Sequence, residues 1–151
     1  MAGSVKDTDK GLNALFGRLA NGKKHSLTVG IHDAEAGAPD GRLTVGEVAT
    51  INEYGLGVPE RSFLRAWADA NEAANLATLR KIGEAVVKGR ASAEQGLNQA
   101  GLKFVGEIQA RITGGIPPAN AESTIKKKGS STPLIDTNQM RSSIRHKVDD
   151  K

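Results

Sequence analysis

The sequence predicts an α/β (α+β) fold in a single domain: a small mixed or antiparallel sheet flanked by helices, with a long helical hairpin among them. Three observations predict it. Two consecutive segments between Ser62 and Ile112 carry apolar residues at helical spacing and are separated by a stop at Gly89. Two short segments, Ser26 to His32 and Ser143 to Val148, alternate apolar and polar residues as half-buried strands do. At 151 residues, the chain fits one ordinary domain spanning 1–151 and has little room for a second.

The first helix is expected from about Asp7 to Ala20. Leu12, Leu15, Phe16 and Leu19 form a stripe expected to face inward, and Asn21-Gly22 supplies the stop. In the strand that follows, Leu27, Val29 and Ile31 share one face. The run from Asp33 to Arg42 mixes Gly, Pro and Asp without periodicity, so about 33–43 is expected to be a mobile loop. Thr44 is a cap type for a short helix that ends at Gly55, with Val45, Val48, Ala49 and Asn52 on one side.

A long helix is expected from Ser62, stacking Phe63, Trp67, Ala70 and Ala74 and then Leu79, Ile82 and Val86. Ser92-Ala-Glu-Gln95 has capping-box spacing and opens a second helix, striped by Leu97, Ala100, Phe104, Ile108 and Ile112. The two predict an antiparallel hairpin. Gly114-Gly115-Ile116-Pro117-Pro118 ends it and begins a second loop, about 115–132, in which Asn120 can cap a short turn. Asp136 and Thr137 are cap types for a short helix around Asn138 to Ser142. The closing strand, with Ile144, His146 and Val148 on one face, is expected to pair with the first.

Composition narrows the chemistry. The chain has no cysteine, which removes disulfides, thiolate nucleophiles and cysteine metal sites and suits a reducing cytosol. No apolar run reaches the length of about eighteen residues that a membrane span needs, and a secretory signal is not expected at the N-terminus. The formal charge of +4 is mild, and it gathers partly at Lys126 to Lys128 and at Arg141, Arg145 and Lys147. Aromatic residues are limited to Phe16, Tyr54, Phe63, Trp67 and Phe104, mostly at core-like positions, so a stacking surface for single strands is not indicated.

A search for reactive groups returns little. The three histidines, His25, His32 and His146, lack any metal-ligand spacing. Asp33, Glu35 and Asp40 form an acidic loop that reads more simply as solvated than as a catalytic carboxylate pair. The glycine pairs lack the lysine of a phosphate-binding loop, and no nucleophile elbow occurs. No catalytic residue, cofactor or metal is expected, and the chain is read as no enzyme. Arg61 and Arg65 lie one helical turn apart around Phe63 and suit a carboxylate, either on a neighbouring chain or at Glu53 or Glu60.

Three blocks together resemble a family. Ala49-Thr-Ile-Asn-Glu53-Tyr54-Gly55, Pro59-Glu-Arg61-Ser-Phe63-Leu64-Arg65 and Pro133-Leu-Ile-Asp-Thr137-Asn-Gln139-Met140-Arg-Ser-Ser143-Ile144 are similar, in order and spacing, to the signature blocks of the tail-completion, or neck, proteins of tailed bacteriophages. Ser62 stands where the family favours proline. Asn138 stands where it favours glycine, and asparagine also tolerates left-handed backbone.

The resemblance implies a structural virion subunit, assembled in the bacterial host cytoplasm, that closes a ring at the head-to-tail joint and terminates or completes the tail. Its implied partners are further copies of itself in a ring, expected as a hexamer, the head-tail connector proteins and the tail tube protein; DNA passes through without sequence-specific binding, and no membrane is involved. Ring closure needs two different patches on each subunit. One is expected near Glu53, Tyr54, Arg61, Phe63 and Arg65, although Phe63 also reads as core, and the other near Ile135, Asp136 and Arg141. The alternative class is a nucleic-acid-binding module using the basic C-terminal region, which a steep loss of affinity with salt would reveal. A small hydrolase around His32, Asp33 and Glu35 is a third and weaker reading.

Overall fold

The computed structural model describes residues 9, 11–22, 24–32, 43–120, 122, 125–126 and 139–150. Its elements run in the order α1 (Leu12–Gly22), β1 (His25–Ile31), α2 (Val45–Tyr54), α3 (Arg65–Ala70), α4 (Glu72–Val87), α5 (Ala93–Thr113), α6 (Gln139–Ser142) and β2 (Ile144–Asp150). Helices cover one face of an antiparallel two-stranded sheet, the α+β arrangement expected from the sequence.

Sequence spacing explains the sheet. β1 and β2 pair in register from His25 opposite Asp150 to Ile31 opposite Ile144. Side chains alternate across a strand, so Leu27, Val29, Ile31, Ile144, His146 and Val148 share the face toward α5, while Thr28, Arg145 and Lys147 lie exposed on the other. Two strands alone are marginal in water. Here α5 packs against both and gives the sheet its apolar cover.

The core forms where α5 meets everything else. Phe63, Ile108, Ile112 and Ile144 are fully buried, with Ala49, Trp67, Ala100, Phe104, Ile116 and Met140 around them. The rings of Trp67 and Phe104 pack tilted, 5.3 Å between centroids. Trp67 Nε1 donates to Glu107 Oε2 at 3.1 Å, satisfying the one polar atom of that ring. Each large buried side chain of this kind contributes about 1.5–3 kcal/mol over its exposed state.

Caps define several boundaries. Thr44 and Glu47 form a reciprocal capping box at α2, and Ser92 and Gln95 form another at α5. Asp9 accepts from the N–H groups of Gly11, Leu12 and Asn13, so α1 begins later than the expected Asp7. Gly89, with φ of 68°, supplies the left-handed turn that ends the α4 region. The hairpin of α4 and α5 is antiparallel: Gly96 sits under Ile82, and Lys103 Nζ donates to Thr78 Oγ1 further along.

Two expectations are corrected. The long helix from Ser62 is broken at Asn71, whose backbone leaves the helical range at φ −114° and ψ 10°, while its N–H at 3.1 Å and its side-chain Nδ2 at 2.9 Å both donate to the Trp67 carbonyl. Ala70 and Ala74, expected in its stripe, are exposed. The stripe of α1 does not turn inward either. Leu12 is 57% and Phe16 58% exposed, whereas Leu15 and Arg18 are half-buried and α1 packs against α4 and α5. The expected loop at 33–43 lies almost wholly outside the described residues, as does most of 115–132.

Candidate functional site

The segments 49–55 and 59–65 meet at one carboxylate. Glu53, in the last turn of α2, is only 4% exposed. Its Oε2 accepts from the backbone N–H groups of Phe63 at 2.8 Å and Leu64 at 3.0 Å, and its Oε1 accepts from the N–H of Arg65 at 2.9 Å. The hydroxyl of Ser62 donates to Oε1 at 2.7 Å. These N–H groups belong to the start of α3, where no earlier helical turn supplies acceptors. Glu53 therefore caps α3 from a different helix.

Ser62 works from both sides of this junction. While donating to Glu53, its Oγ accepts the N–H of Ala66 at 3.1 Å. Ser62 thus fixes the start of α3 by hydrogen bonds. Burial pushes the Glu53 pKa up, but the Ser62 hydroxyl and the three backbone donors outweigh it and hold the group below the ordinary carboxylate value.

The turn between α2 and α3 follows from the same lock. Gly55 takes φ of 68°, and the N–H of Leu56 reaches back to the Ile51 carbonyl at 2.9 Å. A side chain at Gly55 would meet Glu60 backbone and Cβ atoms at about 3.0 Å. Arg61 N–H then closes onto the Asn52 carbonyl at 2.8 Å. With its ends fixed, the loop holds Leu56 and Val58 exposed beside exposed Tyr54.

The residues expected at the first patch separate into two groups. Glu53, Phe63 and Arg61 are buried: Arg61 is 8% exposed and donates to the carbonyls of Pro118 at 2.9 Å and Ala119 at 3.3 Å. They form the scaffold beneath the surface. Tyr54 and Arg65 form its outer face. The Arg65 guanidinium lies 4.6 Å from the centre of the Tyr54 ring, donates to the Glu53 carbonyl at 2.8 Å and pairs with Glu60 at 2.8 Å.

The second expected patch is only partly described. Ile135 and Asp136 lie outside the described residues. Arg141 is half-buried; its Nη1 donates to Thr113 Oγ1 at 3.0 Å, and its carbonyl accepts from Gln109 Nε2 at 3.1 Å. From that block, Met140 and Ile144 enter the core. Sequence reading missed Ser62 as a two-sided cap and Glu107 as the partner of Trp67; no spacing rule links residues forty positions apart.

The histidines serve separate places. His25 Nδ1 lies 2.7 Å from Asp150 Oδ1 at one end of the sheet, and His146 Nε2 lies 3.1 Å from Asn98 Oδ1. Among the described residues, no three His, Asp or Glu side chains gather as metal ligands, and no helix is long and apolar enough to cross a membrane.

Two concave surfaces among the described residues are large enough to matter for contacts. One, of about 760 Å³, runs along α2 and is lined by Leu43, Ala49, Tyr54, Leu56, Phe63 and Leu64 among others. The other, of about 910 Å³, lies between α1, α4 and α5, with Phe16, Leu19, Leu79, Ile82, Val86 and Leu97 on its walls. Comparison of the chain with family models, with characterised proteins and with solved structures gave no match.

Proposed function

We propose that this chain is a structural subunit of a tailed-phage virion, closing a ring in the neck that completes or terminates the tail and joins it to the connector. The observation that carries the reading is the Glu53 lock. The glutamate of the first resembling block caps the helix that opens in the second, which gives a physical reason for both blocks to occur together at this spacing. The third block contributes Met140 and Ile144 to the same core.

A closed ring needs one surface on each subunit to meet a different surface on the next. The chain offers two candidates on different elements: the ridge of Tyr54, Leu56 and Val58 with Arg65, and the groove beside the outward stripe of α1. Apolar side chains left outside on a small domain mark contact surfaces when they cluster. The role is one of assembly, with DNA passing through the joint; a charge of +4 gives no strong phosphate-binding lumen to obstruct it.

Native mass spectrometry and electron microscopy of the purified chain, alone and with tail-tube protein, test the proposal. Closed oligomers are expected in at least one condition. The doubly substituted variant Leu56→Asp/Val58→Asp should remain folded and fail to close. A variant that forms rings like the unsubstituted chain would remove this ridge from the interface.

A further inference from the structure

The outer edge of β2 and the adjoining flank of α5 combine into a surface that the ring reading does not use. Among the described residues, β2 pairs only with β1, so its other edge carries unpaired backbone groups. Thr28 Oγ1 donates to the Lys147 carbonyl, so that carbonyl points toward β1. The neighbouring carbonyls of His146 and Val148 therefore point outward, as alternation along a strand requires.

The charges on β2 are ordered. Lys147 and Asp149 lie on the sheet face away from α5 and pair with each other at 2.8 Å. Arg145 turns back onto the carbonyls of Ser142 and Ile144 and leaves the row. If two β2 strands pair antiparallel about Val148, Lys147 of each stands opposite Asp149 of the other, giving an alternating square of four charges. In the register centred on Lys147, two lysines would face each other. In the one centred on His146, Arg145 would face Lys147. Cross-strand like charges are unfavourable and opposite charges favourable, so the charges select the Val148 register. Lysine on an edge often blocks pairing. Here the aspartate two positions on gives that lysine an opposite charge to face on a second copy of this strand.

The flank of α5 lies on the same side. Asn98 reaches His146 of β2, and Gln109 reaches the carbonyl of Arg141 just before it. Leu102 and Val105 fall between them on that stripe of the helix. Leu102 is 65% exposed, more than any other large apolar side chain described. Gly106 follows, exposed, with open space where a Cβ would project; glycine weakens a helix interior and suits a close approach by another backbone. Strands about 4.8 Å apart place two such helices, each centred over its own strand pair, about 10 Å from axis to axis, within the range for packed helices.

We propose that β2 and the α5 flank form a twofold contact between two copies of this chain, joining their sheets into four strands with an α5 pair on one face. The contact uses one surface twice, so it is separate from the two different patches of a ring. It joins either free subunits or two rings.

Sedimentation equilibrium reads it directly. The unsubstituted chain should give an even-numbered species, and Lys147→Asp, Asp149→Lys or Leu102→Glu should each halve its mass while circular dichroism stays unchanged. Mixing the Lys147→Asp and Asp149→Lys chains should restore the mass, because the charges then match between chains although each chain's own pair stays broken. The double swap in one chain should restore it as well. A mass unmoved by all three substitutions, a monomer at every concentration, or a mixture that fails to reassociate would overturn the contact. None of these results bears on ring closure, which is read by the Leu56 and Val58 substitutions.

Discussion

Glu53 does at one carboxylate what helix α3 cannot do for itself. Replacing it with glutamine keeps the shape, but turns an amide donor toward N–H groups that need acceptors. Glu53→Gln should cost about 3 kcal/mol in urea unfolding, given the usual loss when a charged acceptor is removed from buried donors. The pH dependence follows from the direction of its shift. The folded pKa lies below the unfolded value near 4.5, so the stabilisation is fully present above that value and is lost as pH falls through the folded pKa. An acid titration of stability should therefore be flatter below pH about 4.5 in the glutamine variant than in the unsubstituted chain. Gly55→Ala should also destabilise by about 1–2 kcal/mol through its left-handed backbone, with the Glu60 contact adding to the loss. The sequence placed Glu53 at or near an interface patch, and carboxylates are rarely buried. The three N–H groups that make its burial tolerable come from ten to twelve residues downstream, beyond any local pattern.

At the scale of elements, the caps were legible and the directions of helix faces less so. Thr44, Ser92, Gly55 and Gly89 each act within a few positions of themselves, so local chemistry names the boundary. The pairing of β1 with β2 was legible from matched alternation. The break at Asn71 is a change of backbone angles at one residue, while the apolar spacing around it continues unbroken. Periodicity likewise showed that α1 has a stripe but not whether the domain covers it; Phe16 and Leu19 stay exposed on the wall of the groove shared with α4 and α5. The contact between α5 and β2 is close enough to test: a Cβ at Gly101 would lie 2.4 Å from the His146 ring. Gly101→Ala should push β2 off the helix and lower stability by about 1–3 kcal/mol in thermal unfolding, as overpacking does. Gly106→Ala, facing open space, should leave the monomer equally stable or gain through helix propensity.

For the whole molecule, the three resembling blocks describe how one core is assembled. Two of them dock through Glu53, and the third inserts Met140 and Ile144 against α5. The part of the candidate interface that was legible, Tyr54 and Arg65, sits on top of this scaffold. Arg61 and Phe63 support it from below, because a signature of residue types records the fold's needs and the surface's needs together. Leu56 and Val58 carry no motif and became visible only once the turn was seen to project them. The most direct measurement of the central claim is native mass spectrometry with electron microscopy on the chain alone and after addition of tail-tube protein. A closed ring is expected in at least one condition, lost in Leu56→Asp/Val58→Asp. A chain that stays an open monomer or dimer in both would contradict it.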